Sequence, residues 1–174
     1  MDIGAIIIIM IIAVILVLTF YIIGLYNGLI DARNKVEDQF TQIHLELKKK
    51  SDIIPNIIEV LNKYIKHEEK ILNELITSKN KLDKANKINE IIKSSNNINI
   101  ALSKIVSLSE TYPELKKNKI YLSLIKQLEE IEDRINYART FYNEAVLKYN
   151  NMKDQFPSNI VAKVFKFKII DYYK

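Results

Sequence analysis

Residues Ile3 to Ile23 form an unbroken apolar run, with Asp2 the one charge before Asp31. At about 1.5 Å of rise per residue, a helix of that length covers the roughly 30 Å hydrocarbon core of a bilayer. Beyond it the hydrophobic positions recur at spacings of three and four. The clearest series is Tyr121, Leu124, Leu128, Ile131, Ile135, Ala138, Tyr142, Ala145, Tyr149, Met152 and Phe156. A period near 3.5 held that long predicts a helix packing at a shallow angle on partner helices, with the small Ala138 and Ala145 letting a neighbour approach.

A similar seam leaves the apolar run as Leu29, Arg33, Val36, Phe40, Ile43 and Leu47. No breaker follows Gly28, so the first domain helix is expected to continue the transmembrane helix. Ser51 and Asp52 are good N-caps and Pro55 suits a first turn, which predicts a turn near Lys50 and a second helix whose seam reads Ile54, Ile58, Leu61, Ile65, Glu68, Leu72 and Leu75. That seam fades in the Ser/Asn/Lys-rich stretch from Thr77 to Asn89. A third helix then carries Ile88, Ile92, Ile98, Leu102, Ile105 and Leu108, and Tyr112-Pro113 ends it, because a residue before proline is pushed out of the α region. Asn118 caps the fourth helix, which Phe156-Pro157 closes. The expected fold is all-α: an N-terminal transmembrane helix (residues 1–24), an up-down-up-down antiparallel four-helix bundle (25–157) and an amphipathic C-terminal tail (158–174).

Composition agrees with helices. Only 3 Gly and 3 Pro occur in 174 residues, few for a fold that turns as often as a sheet does, and the 48% hydrophobic content suffices for a core. Cysteine is absent, which removes disulfides and thiol chemistry. The N-terminal flank has no Lys or Arg, whereas Arg33 and Lys35 follow the span, so the positive-inside rule predicts a single-pass protein of the cell membrane with its N-terminus outside and its domain cytoplasmic.

In the expected bundle the turn at Lys50 stands about 37 Å above the membrane, from about 25 residues at 1.5 Å each. Lys48, Lys49, Lys50, Lys116, Lys117 and Lys119 then share a distal basic tip, either a solvated turn or a dock for an acidic partner. It stands several Debye lengths of about 8 Å from the headgroups. The tail emerges at the opposite end. Its Phe165, Lys166, Phe167, Lys168, Tyr172 and Tyr173 interleave aromatic and basic residues as a bilayer interface requires, unless the same apolar face packs across the bundle base. Arg33, Asn34, Glu37, Arg139, Asn143 and Asn150 form an expected polar layer, either fixing helix register or serving a partner, with Glu37–Arg139 its predicted contact.

Catalytic chemistry finds little footing. His67-Glu68 begins a zincin-like motif, but Ile71 stands where the second histidine belongs. Thr41 and Tyr64, three residues before His44 and His67, are not the glutamates of a di-iron bundle. No phosphate-cradling glycine loop or nucleophile setting is visible. The sequence predicts no catalytic residues, metal, cofactor or small-molecule substrate, and no nucleic-acid partner, since the net charge of +5 comes without aromatic-basic interleaving on a strand platform.

Several segments in order resemble the LemA family: Tyr26-Asn27-Gly28-Leu29, Arg33-Asn34-Lys35-Val36-Glu37, Leu47-Lys48-Lys49-Lys50-Ser51-Asp52-Ile53-Ile54-Pro55-Asn56-Ile57, Tyr64 with His67-Glu68, Glu110-Thr111-Tyr112-Pro113-Glu114-Leu115-Lys116, Ala138-Arg139-Thr140-Phe141-Tyr142-Asn143-Glu144-Ala145-Val146, Tyr149-Asn150 and Phe156-Pro157-Ser158-Asn159-Ile160-Val161-Ala162. Phe40 stands where that family commonly has tryptophan, Lys117 where it has alanine, and Lys166 replaces a glycine in Phe-x-Phe. The resemblance implies a bacterial single-pass protein with a cytoplasmic helical bundle, no established enzymatic activity, and a scaffold or adaptor role beside other membrane proteins, membrane-embedded metalloproteases among them. Two functions follow as expectations. One is a non-catalytic interaction protein that self-associates or accompanies another membrane protein. The other is a membrane-surface protein that organises anionic lipid through its tail.

Overall fold

The computed structural model describes residues 3–65, 68–85 and 87–173. The His67 position of the zincin-like fragment lies outside them. The described residues are helical, without strands: α1 (Ile3–Tyr64), α2 (Glu69–Lys84), α3 (Ile88–Ser109), α4 (Pro113–Lys117), α5 (Lys119–Asp154) and α6 (Ser158–Val164). Two compact units partition the chain. The terminal unit comprises Met1–Gln39 with Phe141–Tyr172, and the central unit Phe40–Thr140 with Tyr173–Lys174.

The expected turn at Lys50 does not exist. α1 passes Ser51 and Asp52 and carries Pro55 in its interior. A cap contributes only about 1 kcal/mol, whereas Leu47, Ile54, Ile57 and Leu61 are all buried on one continuous face, each side chain worth roughly 1.5–3 kcal/mol. Pro55 itself is exposed, but the carbonyl it leaves without a helical donor belongs to the buried Ser51, a cost of roughly 3 kcal/mol that the apolar face outweighs. The helix ends at Tyr64 instead.

In the central unit α1 meets α2 through Ser51, whose hydroxyl donates to Asp83 at 2.6 Å, and α2 meets α3 through the 2.8 Å Lys104–Glu74 pair. α3 buries Ile91, Ile98, Ala101, Leu102 and Ile105, and α5 buries Tyr121, Leu124, Leu128, Ile131 and Ile135, following the predicted seam. α3 ends at Ser109, before Tyr112-Pro113, and Pro113 opens α4 at the position where its missing N–H costs nothing. Asn118 caps α5 as expected. Its side-chain oxygen accepts from the backbone N–H groups of Ile120 and Tyr121, and its amide donates to the Tyr64 hydroxyl at 2.9 Å.

In the terminal unit Leu29, Val161 and Ala162 form a small core with Leu25, Tyr26, Met152 and Phe167 packed around it. Gly28 lets α5 approach, since a Cβ there would come within 2.7 Å of the Met152 methyl. The α5 seam drifts at this end, burying Val146 rather than Ala145 and leaving Phe156 exposed. Drift of this kind is what an ideal 3.6-residue turn produces against a 3.5-residue pattern. From Ile6 to Ile23 every residue of α1 is exposed, and α1 is the described helix long and apolar enough to cross a membrane.

Candidate functional site

The terminal unit carries the most elaborate polar arrangement, and α5 builds it from three side chains on neighbouring faces. The Tyr149 hydroxyl donates to the Lys168 carbonyl at 2.8 Å, and the Tyr142 hydroxyl to that of Asp171 at 3.0 Å. Asn150, buried, grips Ile170 in both directions: its amide donates to the Ile170 carbonyl at 2.9 Å and its oxygen accepts the Ile170 N–H at 3.1 Å. An extended segment lacks internal hydrogen bonds, so these groups do for the tail what a neighbouring strand would do. Burial raises the Tyr142 and Tyr149 phenols above their ordinary value, with the cations Arg33 and Lys153 opposing the shift at Tyr149.

Upstream, Phe165 and Phe167 flank the Tyr26 ring at 4.7 and 5.8 Å between centroids. Both reach it because Lys166 between them takes a left-handed φ of 58°, the conformation that glycine adopts freely and an L side chain holds only at a cost. The tail and α1 thereby enclose a cavity of about 490 Å³, lined by Tyr26, Ile30, Arg33, Glu37, Tyr149 and residues Phe165 to Lys168 with Ile170. The tail therefore packs against its own chain, while Val164, Phe165, Ile169 and Tyr172 still present apolar surface to solvent.

The six residues expected to form one polar layer divide between the two units. In the terminal unit Arg33 pairs with Glu37 at 3.2 Å on the helix surface, Asn34 is exposed, Asn143 is half-buried and Asn150 is the tail clamp. In the central unit Arg139 lies over the Tyr173 ring, 4.7 Å from its centroid, and donates to the Tyr173 hydroxyl and to Asn136. Burial raises the Tyr173 phenol, opposed by the Arg139 charge. Each member of the expected Glu37–Arg139 pair thus has another partner within its own unit.

The shared basic tip is corrected more sharply. With no turn at Lys50, Lys48 to Lys50 lie in mid-helix, whereas Lys116, Lys117 and Lys119 flank Asn118, which bonds Tyr64 at the far end of α1. Fourteen residues of helix, about 21 Å, separate the two groups along α1. Lys50 is not a surface residue at all. At 2% exposure its ammonium donates to the Glu132 carboxylate and the Asn99 side-chain oxygen, and Asn99 donates in turn to Glu132. Desolvation pulls the Lys50 pKa below its ordinary value, and Glu132 opposes it. A signal for this was present: Val36, Ile43, Leu47, Lys50, Ile54, Ile57 and Leu61 are one heptad series with a lysine in it.

A family model described as the LemA family matches residues 39–174. Among curated proteins, "Magnetosome protein MamQ 2" and "Magnetosome protein MamQ 1" of Paramagnetospirillum magneticum are each 32% identical over 74 residues. "Magnetosome protein MamQ" of Magnetospirillum gryphiswaldense is 27% identical over 73 residues. In each case the similarity spans 42% of this chain and 27% of the relative's length.

Proposed function

Because the chain belongs to the LemA family, we propose that it is a membrane-anchored, non-catalytic interaction protein. The carrying observation is the uncovered apolar run from Ile6 to Ile23, continuous within α1 with a helix that Leu29, Val36, Ile43 and Leu47 tie into folded helical units. Exposed apolar surface of that extent is unstable in water and stable in a bilayer. In this reading the helices are arranged up-down-up-down, residues 3–23 span the cell membrane once, and the helical units lie on the cytoplasmic side, which Arg33 and Lys35 after the span support. The protein works by associating with itself or with another membrane protein. Its kinship with magnetosome proteins supports a shared helical segment and assigns no compartment to this chain.

Crosslinking the full chain in membranes, followed by detergent extraction and affinity purification, tests this. The expected product is a homo-oligomer or a stoichiometric complex with one other membrane protein. Recovery of an uncrosslinked monomer across a range of linker lengths would refute the interaction role.

A further inference from the structure

We propose that the 490 Å³ cavity between the tail and α1 receives the phosphate group of an anionic phospholipid headgroup. The inference rests on residues 3–23 being a membrane anchor, and four observations support it. Position comes first. Tyr26 lies three residues past Ile23, about 4.5 Å along the helix, which is inside the headgroup layer if Ile23 ends the hydrocarbon core. Arg33 stands about 15 Å out, beyond that layer, and lines the cavity on its membrane-distal side.

Charge is the second. Arg33, Lys166 and Lys168 line the cavity against the single carboxylate of Glu37, leaving a net charge of +2. Arg33 is committed to Glu37, whereas Lys166 and Lys168 have no carboxylate partner among the described residues. Ammonium groups held next to a guanidinium form a phosphate-binding set.

The third observation is the backbone. Lys166 occupies a left-handed conformation that costs an L residue free energy. That conformation seats Phe165 and Phe167 on Tyr26 and sets the lysine into the cavity wall. The segment is also held in advance of any ligand, since Tyr149 and Asn150 fix the backbone at Lys168 and Ile170.

Exposed apolar surface is the fourth, and it separates a lipid from free phosphate. Phe156, Ile160, Val164 and Ile169 are 55–78% exposed in the same unit, and Phe165 is 53% exposed at the cavity edge. Free phosphate gives these groups nothing to pack on, whereas acyl chains and the interfacial layer do.

Native mass spectrometry of the detergent-solubilised full chain, titrated separately with phosphatidylglycerol, phosphatidylcholine and inorganic phosphate, tests the assignment. The expected result is a phosphatidylglycerol adduct retained in preference to phosphatidylcholine. Its affinity should fall about fivefold in each of Arg33→Gln, Lys168→Gln and Lys166→Gly, the last of which removes the charge while easing the backbone. Lys93→Gln, exposed in the central unit, should leave it unchanged. Equal retention of the two lipids, or a preference untouched by the three substitutions, would overturn the proposal. A phosphate adduct with the same sensitivity and no lipid preference would assign the cavity to free phosphate and overturn the lipid. Alkaline extraction of the same proteins from membranes reads the anchor separately: a chain that stays in the membrane without preferring phosphatidylglycerol refutes the cavity alone, and one that is extracted refutes the anchor.

Discussion

Replacing Glu132 by glutamine leaves the Lys50 ammonium 2% exposed and without a counter-charge, and the cost of that is large because the ion cannot reach water. Stranding one member of a buried pair typically costs about 3–5 kcal/mol. Glu132 is 30% exposed, so water enters from its side and the expected loss falls to about 2–3 kcal/mol. The reciprocal change is mild. In Lys50→Met the remaining carboxylate keeps its water and the Asn99 amide donor at 3.2 Å, while an apolar side chain of similar length fills the space. Substituting apolar residues for buried ions is often neutral, so the expected cost is about 0–1 kcal/mol.

Thermal unfolding followed by circular dichroism, on the full chain in detergent, resolves the two. About 3 °C per kcal/mol applies at this size, which puts Glu132→Gln roughly 6–9 °C below the parent and Lys50→Met within about 3 °C. pH adds a second reading. Desolvation holds the Lys50 pKa in the folded state below its unfolded value of 10.5, so between those two values the unfolded chain binds more protons and stability rises with pH. Losing Glu132 lowers the folded value further. Glu132→Gln should therefore recover stability as pH rises toward 10.5, with a slope of up to about 1.4 kcal/mol per unit, over a wider window than the parent. Equal losses in the two single variants, or a Glu132→Gln deficit that does not shrink with pH, would refute the account of this cluster.

Four further outcomes follow from the terminal unit. Asn150→Leu removes both bonds to Ile170 and should speed amide hydrogen exchange across residues 165–171 at least tenfold while leaving α2 and α3 unchanged. The tail should also loosen in alkali. Burial holds the Tyr142 and Tyr149 phenols above their unfolded value of 10.0, so their contribution is complete below pH 10 and is lost as pH climbs through the folded values, an exchange increase that Tyr149→Phe would reduce. Lys166→Gly relieves the left-handed backbone and should raise stability by up to about 1 kcal/mol, read as a higher unfolding midpoint. Gly28→Ala meets only the flexible end of Met152 and gains helix propensity, so its midpoint should stay within about 2 °C of the parent, whereas Gly28→Phe should lower it sharply.

Most of the helical content was legible because it rests on repeated burial. The α5 seam from Tyr121 to Ile135, the Asn118 cap and the end of α3 before Tyr112-Pro113 each combine a local signal with an apolar period that agrees with it. Where the two conflicted, the local signal misled. Ser51, Asp52 and Pro55 spell a helix start, yet the buried face through Ile54, Ile57 and Leu61 runs straight past them, since three buried side chains outweigh one cap. Lys50 was assigned to the surface on charge alone, although its place in the heptad series put it inside; its partners Asn99 and Glu132, 49 and 82 residues away, are invisible to any local pattern. The candidate site was half legible. The aromatic-basic character of the tail and its place beside the base of the anchor could be read, but not the grip of Tyr142, Tyr149 and Asn150 on its backbone, because hydrogen bonds to main-chain atoms leave no trace in the identity of the residues held.

The central claim, that residues 3–23 hold these helical units at the cytoplasmic face of a membrane, is open to one direct measurement. The chain has no cysteine, so Asp2→Cys and Asn96→Cys, the latter at an exposed position on α3, are single reporters. With a membrane-impermeant thiol reagent, Asp2→Cys should label in intact cells and Asn96→Cys only after permeabilisation. Labelling of Asn96→Cys in intact cells would contradict the claim.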